Sequence, residues 1–135
     1  AEAYISRLRG LGPQIDALSA ESARRFANGI QAPKWVYPYV ISDIDNLSRS
    51  GRDMQLSGQT LLDDFRSKIA KLDITPEQRQ ALNMAAVAAW SESAGPAYRR
   101  LRDEMVRQQG LAPTDDGVWR FPDGANYYRA LLSQY

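Results

Sequence analysis

The residues with the most chemical capacity lie in the run GVWRFPDGANYYRALL, residues 117–132 of 135. Trp119, Arg120 and Phe121 form an aromatic piece that reads as short and extended. A Pro122-Asp123-Gly124 turn follows and opens a helix carrying Tyr127, Tyr128 and Arg129. A phenol pointing into a cleft can donate a hydrogen bond to a developing oxyanion. Adjacent residues on a helix diverge by about 100°, so both rings cannot centre on one apolar face. The spacing predicts one tyrosine packed and the other turned to a cleft or a partner. Packing explains the pair more simply than chemistry does. Trp119, Tyr127, Tyr128 and Arg129 are therefore the candidate cleft or partner surface, and no catalytic role is assigned to them.

What the sequence lacks is equally informative. It contains no histidine and no cysteine. That removes the Ser-His-Asp triad, the histidine general base and the usual zinc ligands. Carboxylate, lysine, tyrosine and arginine chemistry remains, with hard cations on oxygen ligands. The acidic clusters Asp43 with Asp45, Asp63-Asp64, Asp103-Glu104 and Asp115-Asp116 fit solvated turns and helix faces better than a cation loop. Their spacing gives no paired acids for a carboxylate hydrolase. Arg99, Arg100, Arg102 and Arg107 make one helix basic, but Asp103 and Glu104 interleave. Arg100 and Glu104 have i,i+4 spacing, so a salt-bridged, solvated face outweighs an anion or nucleic-acid patch. Trp35, Tyr37 and Tyr39 beside Lys34 could stack a sugar or base. Anchoring their helix to its neighbours is the simpler reading. No catalytic, cofactor or metal residue is assigned within this chain.

The elements that must position these residues are helices. Tyr4, Leu8 and Leu11 share a face up to Gly12-Pro13, which reads as a break or kink. Ile15, Leu18, Ser22, Phe26, Gly29 and Ile30 continue at helical spacing to a stop at 29–33. A third helix is expected from Pro33, with Val36, Val40, Ile44 and Leu47 as its stripe and Pro38 kinking its first turns. Residues 48–59 read as a polar surface loop. Thr60 reads as the cap of a helix with Leu61, Leu62, Phe65, Ile69 and Leu72. Thr75-Pro76-Glu77-Gln78 is a capping-box signature. It opens a long helix with Leu82, Ala86, Trp90, Ala97, Leu101 and Met105 near one stripe. Gly95-Pro96 should bend that helix without ending it, because the stripe resumes in register. Asp123 reads as the N-cap of the last helix.

Composition sets the outer bounds. The length suits one modest core, and 44% hydrophobic with 24% charged residues is ordinary for a globular domain. A net charge of +1 supplies no field to draw nucleic acid or an anionic membrane. No apolar stretch is long enough to span a bilayer, and no signal peptide is visible. The expected architecture is one all-α domain over 1–135, an irregular bundle of about five or six helices with one long bent helix. Because the sequence starts in helix-forming residues without Met and stops inside the tyrosine helix, a fragment of a longer protein is expected.

Four stretches together carry a resemblance. They are the Trp119-to-Leu132 run, Phe26-Ala27-Asn28-Gly29-Ile30-Gln31-Ala32-Pro33-Lys34, Thr75-Pro76-Glu77-Gln78 and Gly95-Pro96-Ala97-Tyr98-Arg99-Arg100-Leu101. In that order the chain resembles the bacterial family called domain of unknown function 885 (DUF885), over most of its length. The resemblance implies longer, often exported or lipid-anchored proteins similar to helical zinc carboxypeptidases and oligopeptidases. It also implies a His-Glu-x-x-x-His-His-like metal stretch far beyond the tyrosine pair, and nothing in this chain matches it. So the resemblance implies a non-catalytic helical segment forming part of a cleft wall beside a metallopeptidase-type half. Zinc would belong to the parent protein, and the main partner would be the rest of the parent chain. Self-association through the last helix, leaving Tyr127, Leu131 or Tyr135 uncovered, is a further expectation. The alternative is a free-standing helical interaction module.

Overall fold

The structure is a computed structural model and describes residues 1–48, 60–115 and 117–134. The expected polar loop at 48–59 therefore lies outside the described residues beyond Ser48, as do Asp116, Tyr135 and the side chain of Trp119. Every longer element among the described residues is helical: α1 Glu2–Ala27, α2 Tyr37–Ser48, α3 Thr60–Ile69, α4 Pro76–Ala89, α5 Gly95–Leu111 and α6 Gly124–Leu132. A π-turn at Trp90–Ala94 joins α4 to α5 without a gap, giving the long spine. The all-α bundle with one long bent helix is thus observed.

Helix α1 runs through Gly12-Pro13 without the expected break. Proline at 13 removes the donor for the Arg9 carbonyl four residues earlier. The Ser93 hydroxyl, from the π-turn, donates to that carbonyl at 2.6 Å and replaces the missing bond. The stop after α1 is as expected. Gly29 adopts φ +82°, its N–H bonds Phe26 O at 3.1 Å, and the Ile30 N–H bonds Arg25 O at 3.0 Å. This is the Schellman closure, which favours glycine at the left-handed position.

Three further expectations are corrected. Helix α2 begins at Tyr37, after a 3-10 turn at Lys34–Val36. Pro38 consequently sits in the first turn, where no N–H is needed, and kinks nothing. Thr60 is the first helical residue of α3 and does not cap it; its hydroxyl donates to the Asn46 carbonyl of α2 at 3.3 Å. Arg100 does not pair with Glu104. It forms two bonds to Asp16 of α1, at 2.7 and 2.9 Å, while Glu104 takes Arg107 and Gln108. Long-range geometry offered Arg100 a bidentate acceptor, which outcompetes a single i,i+4 contact. Arg102 likewise reaches Asp45 of α2 at 2.6 Å.

The capping box of α4 forms as read, with Gln78 N–H on Thr75 Oγ1 at 3.2 Å and Thr75 N–H on Gln78 Oε1 at 2.9 Å. Packing then follows the apolar stripes into two core clusters. One gathers Ile5, Leu8, Phe65, Ile69 and Trp90 between α1, α3 and α4; the other gathers Phe26, Tyr37, Ile44 and Met105 between α1, α2 and α5. Tyr98 touches both clusters and stacks on Trp90 with ring centroids 5.9 Å apart. Ala86, Ala89, Ala94 and Ala97 are buried and let the spine approach its neighbours closely.

Candidate functional site

The candidate surface begins with a 3-10 turn at Val118–Arg120, where an extended piece was expected. Arg120 N–H bonds Gly117 O at 3.2 Å and Phe121 N–H bonds Val118 O at 3.1 Å. Gly117 and Phe121 on either side are extended. No neighbouring strand exists among the described residues to pair with this segment, so local turn bonds satisfy its backbone. Arg120 fixes the turn to the bundle. Its Nη2 donates to Gln31 O at 2.6 Å, and its guanidinium lies 4.9 Å from the Phe121 ring centre.

Gly124 N–H then bonds Phe121 O at 2.9 Å and closes the turn into α6. Asp123 occupies the N-cap position as read, but it makes no cap bond. Its carboxylate instead accepts from Asn126 Nδ2 at 2.7 Å, and Asn126 Oδ1 accepts from Arg129 Nη1 at 3.0 Å. Arg129 is thereby held along its own helix.

The tyrosines depart from expectation. Tyr127 is 56% exposed and Tyr128 55%, so neither is packed. Among the described residues α6 buries only Gly124 and rests mainly on the Val118–Arg120 turn. With no second element against α6, the 100° divergence of the two rings no longer forces one of them inward. Tyr127 walls a hollow of about 580 Å³ with Val118, Phe121, Pro122 and Asp123. Tyr128 walls a second, of about 320 Å³, with Val118 and Ala125. Leu131 and Leu132 are also exposed. Among the described residues no hydrogen bond holds either phenol; Asp123 shares the Tyr127 hollow, but its carboxylate accepts from Asn126 and not from the phenol. The arrangement can bind an apolar surface and donate from a phenol; among the described residues no proton-transfer pair is assembled.

A third depression, away from α6, was not anticipated. It encloses about 370 Å³ between α1, α2 and α5, with Leu18, Ile30, Val36 and Val40 on its walls. Its floor holds Gln108, only 3% exposed. Gln108 Oε1 accepts from the Tyr37 hydroxyl at 3.2 Å, and its Nε2 donates to Ser22 Oγ at 3.0 Å and Glu104 Oε1 at 2.8 Å. Burial pushes the Tyr37 phenol above its usual pKa, and Arg107 beside Glu104 holds that carboxyl below its usual range. The sequence signal for this network was slight: Ser22 interrupts the apolar stripe of α1, and Gln108 follows Met105 by one near-turn. The aromatic cluster divides here, since Tyr37 is buried while Trp35 and Tyr39 stand exposed.

The donors for zinc do not fit. The chain has no His or Cys, and among the described residues no three of His, Cys, Asp or Glu converge. No helix among them is long and apolar enough to cross a membrane. Fold and surface together define an all-α scaffold with an uncovered terminal helix. The family model described as "Bacterial protein of unknown function (DUF885)" matches residues 1–135, and the chain belongs to that family. No curated protein and no solved structure matched the chain.

Proposed function

We propose that this chain is a non-catalytic helical segment of an exported, peptidase-like protein, forming part of a cleft wall beside a metal-bearing half. The observation that carries this reading is α6. It is an amphipathic helix on a well-packed bundle, yet it leaves Tyr127, Tyr128, Leu131 and Leu132 uncovered. Contiguous apolar surface of that kind marks an interaction face. In this reading its natural cover is the remainder of the parent chain, and zinc belongs there. When the parent is absent, the same face drives self-association.

A second reading is a free-standing helical interaction module. The groove between α1, α2 and α5 favours it, because Leu18 is 60% exposed at its edge. Two measurements separate the readings. This chain with added zinc should show no turnover of a mixed fluorogenic peptide library; hydrolysis by the chain alone sinks the first reading. If the source reading frame continues into a His-Glu-x-x-x-His stretch, the second is discarded. Sedimentation should show self-association that Tyr127→Ser with Leu131→Ser abolishes, and a monomer at millimolar concentration counts against the α6 face.

A further inference from the structure

We infer that Pro13 and Ser93 form an interhelical latch that selects the π-turn at Trp90–Ala94 and so sets the register of α5. On the α1 side, Pro13 frees the Arg9 carbonyl, and Ser93 Oγ takes it at 2.6 Å. Gly12 is buried beside it, and a Cβ there would overlap Ser93 Oγ and stand 3.1 Å from the Ser93 carbonyl carbon and oxygen. The turn can cross α1 this closely only because residue 12 has no side chain.

On the spine side, Gly95 N–H bonds Trp90 O five residues back, which is the mark of the wide turn. A Cβ on Gly95 would stand 3.1 Å from both Trp90 Nε1 and Trp90 O. Pro96 follows and asks for no helical donor. Gly12-Pro13 and Gly95-Pro96 are therefore two halves of one contact, joined through Ser93.

The register matters because α5 serves two neighbours. Regular α-helical winding through 90–94 would turn everything beyond it by about 100° and shift it by about 1.5 Å. Met105 would leave the second core, Gln108 would leave Ser22 and Tyr37, and Arg100 and Arg102 would lose Asp16 and Asp45. The hydroxyl on the orphaned carbonyl thus adds one bond that only the wide turn can make, and so biases the phase of α5 through Leu111. This latch uses none of the α6 residues and stands independently of the proposed function.

A double-mutant cycle tests it by thermal unfolding. Ser93→Ala alone should lower Tm by about 3–5 °C, the range for one lost hydrogen bond in a chain of this size. In a Pro13→Ala background the Arg9 carbonyl regains a helical N–H, and Ser93→Ala should then cost less than about 1 °C. Equal losses in both backgrounds would overturn the latch, because Ser93 would be acting through packing on Gly12. Hydrogen exchange gives a second readout that global stability does not mimic. Ser93→Ala should speed exchange at the Gly95 amide several-fold relative to the Met105 amide, and an unchanged ratio would overturn selection of the wide turn.

Discussion

Gln108 lies 3% exposed among Ser22, Tyr37 and Glu104, and each of these uses its amide. Removing one member of such a network strands the others without water. Gln108→Leu should therefore cost about 2 kcal/mol, read as a Tm lower by roughly 5–10 °C. Adding Tyr37→Phe to that variant should recover part of the loss, since the phenol proton left without its Gln108 acceptor is then removed as well. If the double variant is the less stable of the two, the phenol oxygen contributes through its bond to the Ala32 backbone and not through Gln108. Ser22 and Gln108 were readable as polar steps in apolar stripes. Their meeting was not, because they lie 86 residues apart. The tyrosine pair was legible as an unusual feature, but its exposure depended on what α6 meets.

At the scale of elements, local chemistry was the best guide. Thr75 with Gln78, and Gly29 after Ala27, fix a helix start and a helix end through bonds within a few residues. Thr75→Ala should cost about 1 kcal/mol in urea unfolding. Asp123→Ala should cost well under that, because Asp123 caps no backbone N–H; a loss equal to that of Thr75→Ala would show that the cap forms in solution. Helix α6 buries little and should exchange its amides far faster than α5. Equal protection in the two helices would mean that α6 is already covered. Pro13 and Pro38 misled the sequence reading for one reason. The effect of a proline depends on whether its missing donor is needed, and Ser93 or a first-turn position removes the need.

At the scale of the molecule, charge is arranged as ion pairs near the surface. Hydrogen bonds from Arg24 and Arg25 hold Glu21 down to about 2, and Arg100, Lys68 and Arg107 lower Asp16, Asp64 and Glu104. A carboxyl lowered in the folded state adds stability above its unfolded pKa near 4, and that stability is lost as pH falls toward about 2. Burial, with Asp64 adding to it, pushes Tyr4 up to about 12. A raised phenol adds stability below pH 10 that is lost as pH rises toward about 12. No histidine or cysteine titrates between these limits. Tm should thus be flat from about pH 5.5 to 9 and fall on both sides; a transition centred near pH 6.5 would contradict this assignment. The sequence by itself determined the all-α class, the capping box of α4, the glycine stop of α1, the apolar stripes and the absence of histidine and cysteine chemistry. Each of these depends on residue type or on spacing within a few turns. Only the tertiary structure decided that Ser93 completes α1, that Arg100 turns to Asp16, that Gln108 is the buried polar centre and that α6 stands uncovered. Those outcomes depend on which distant surfaces meet, and local spacing carries no information about them.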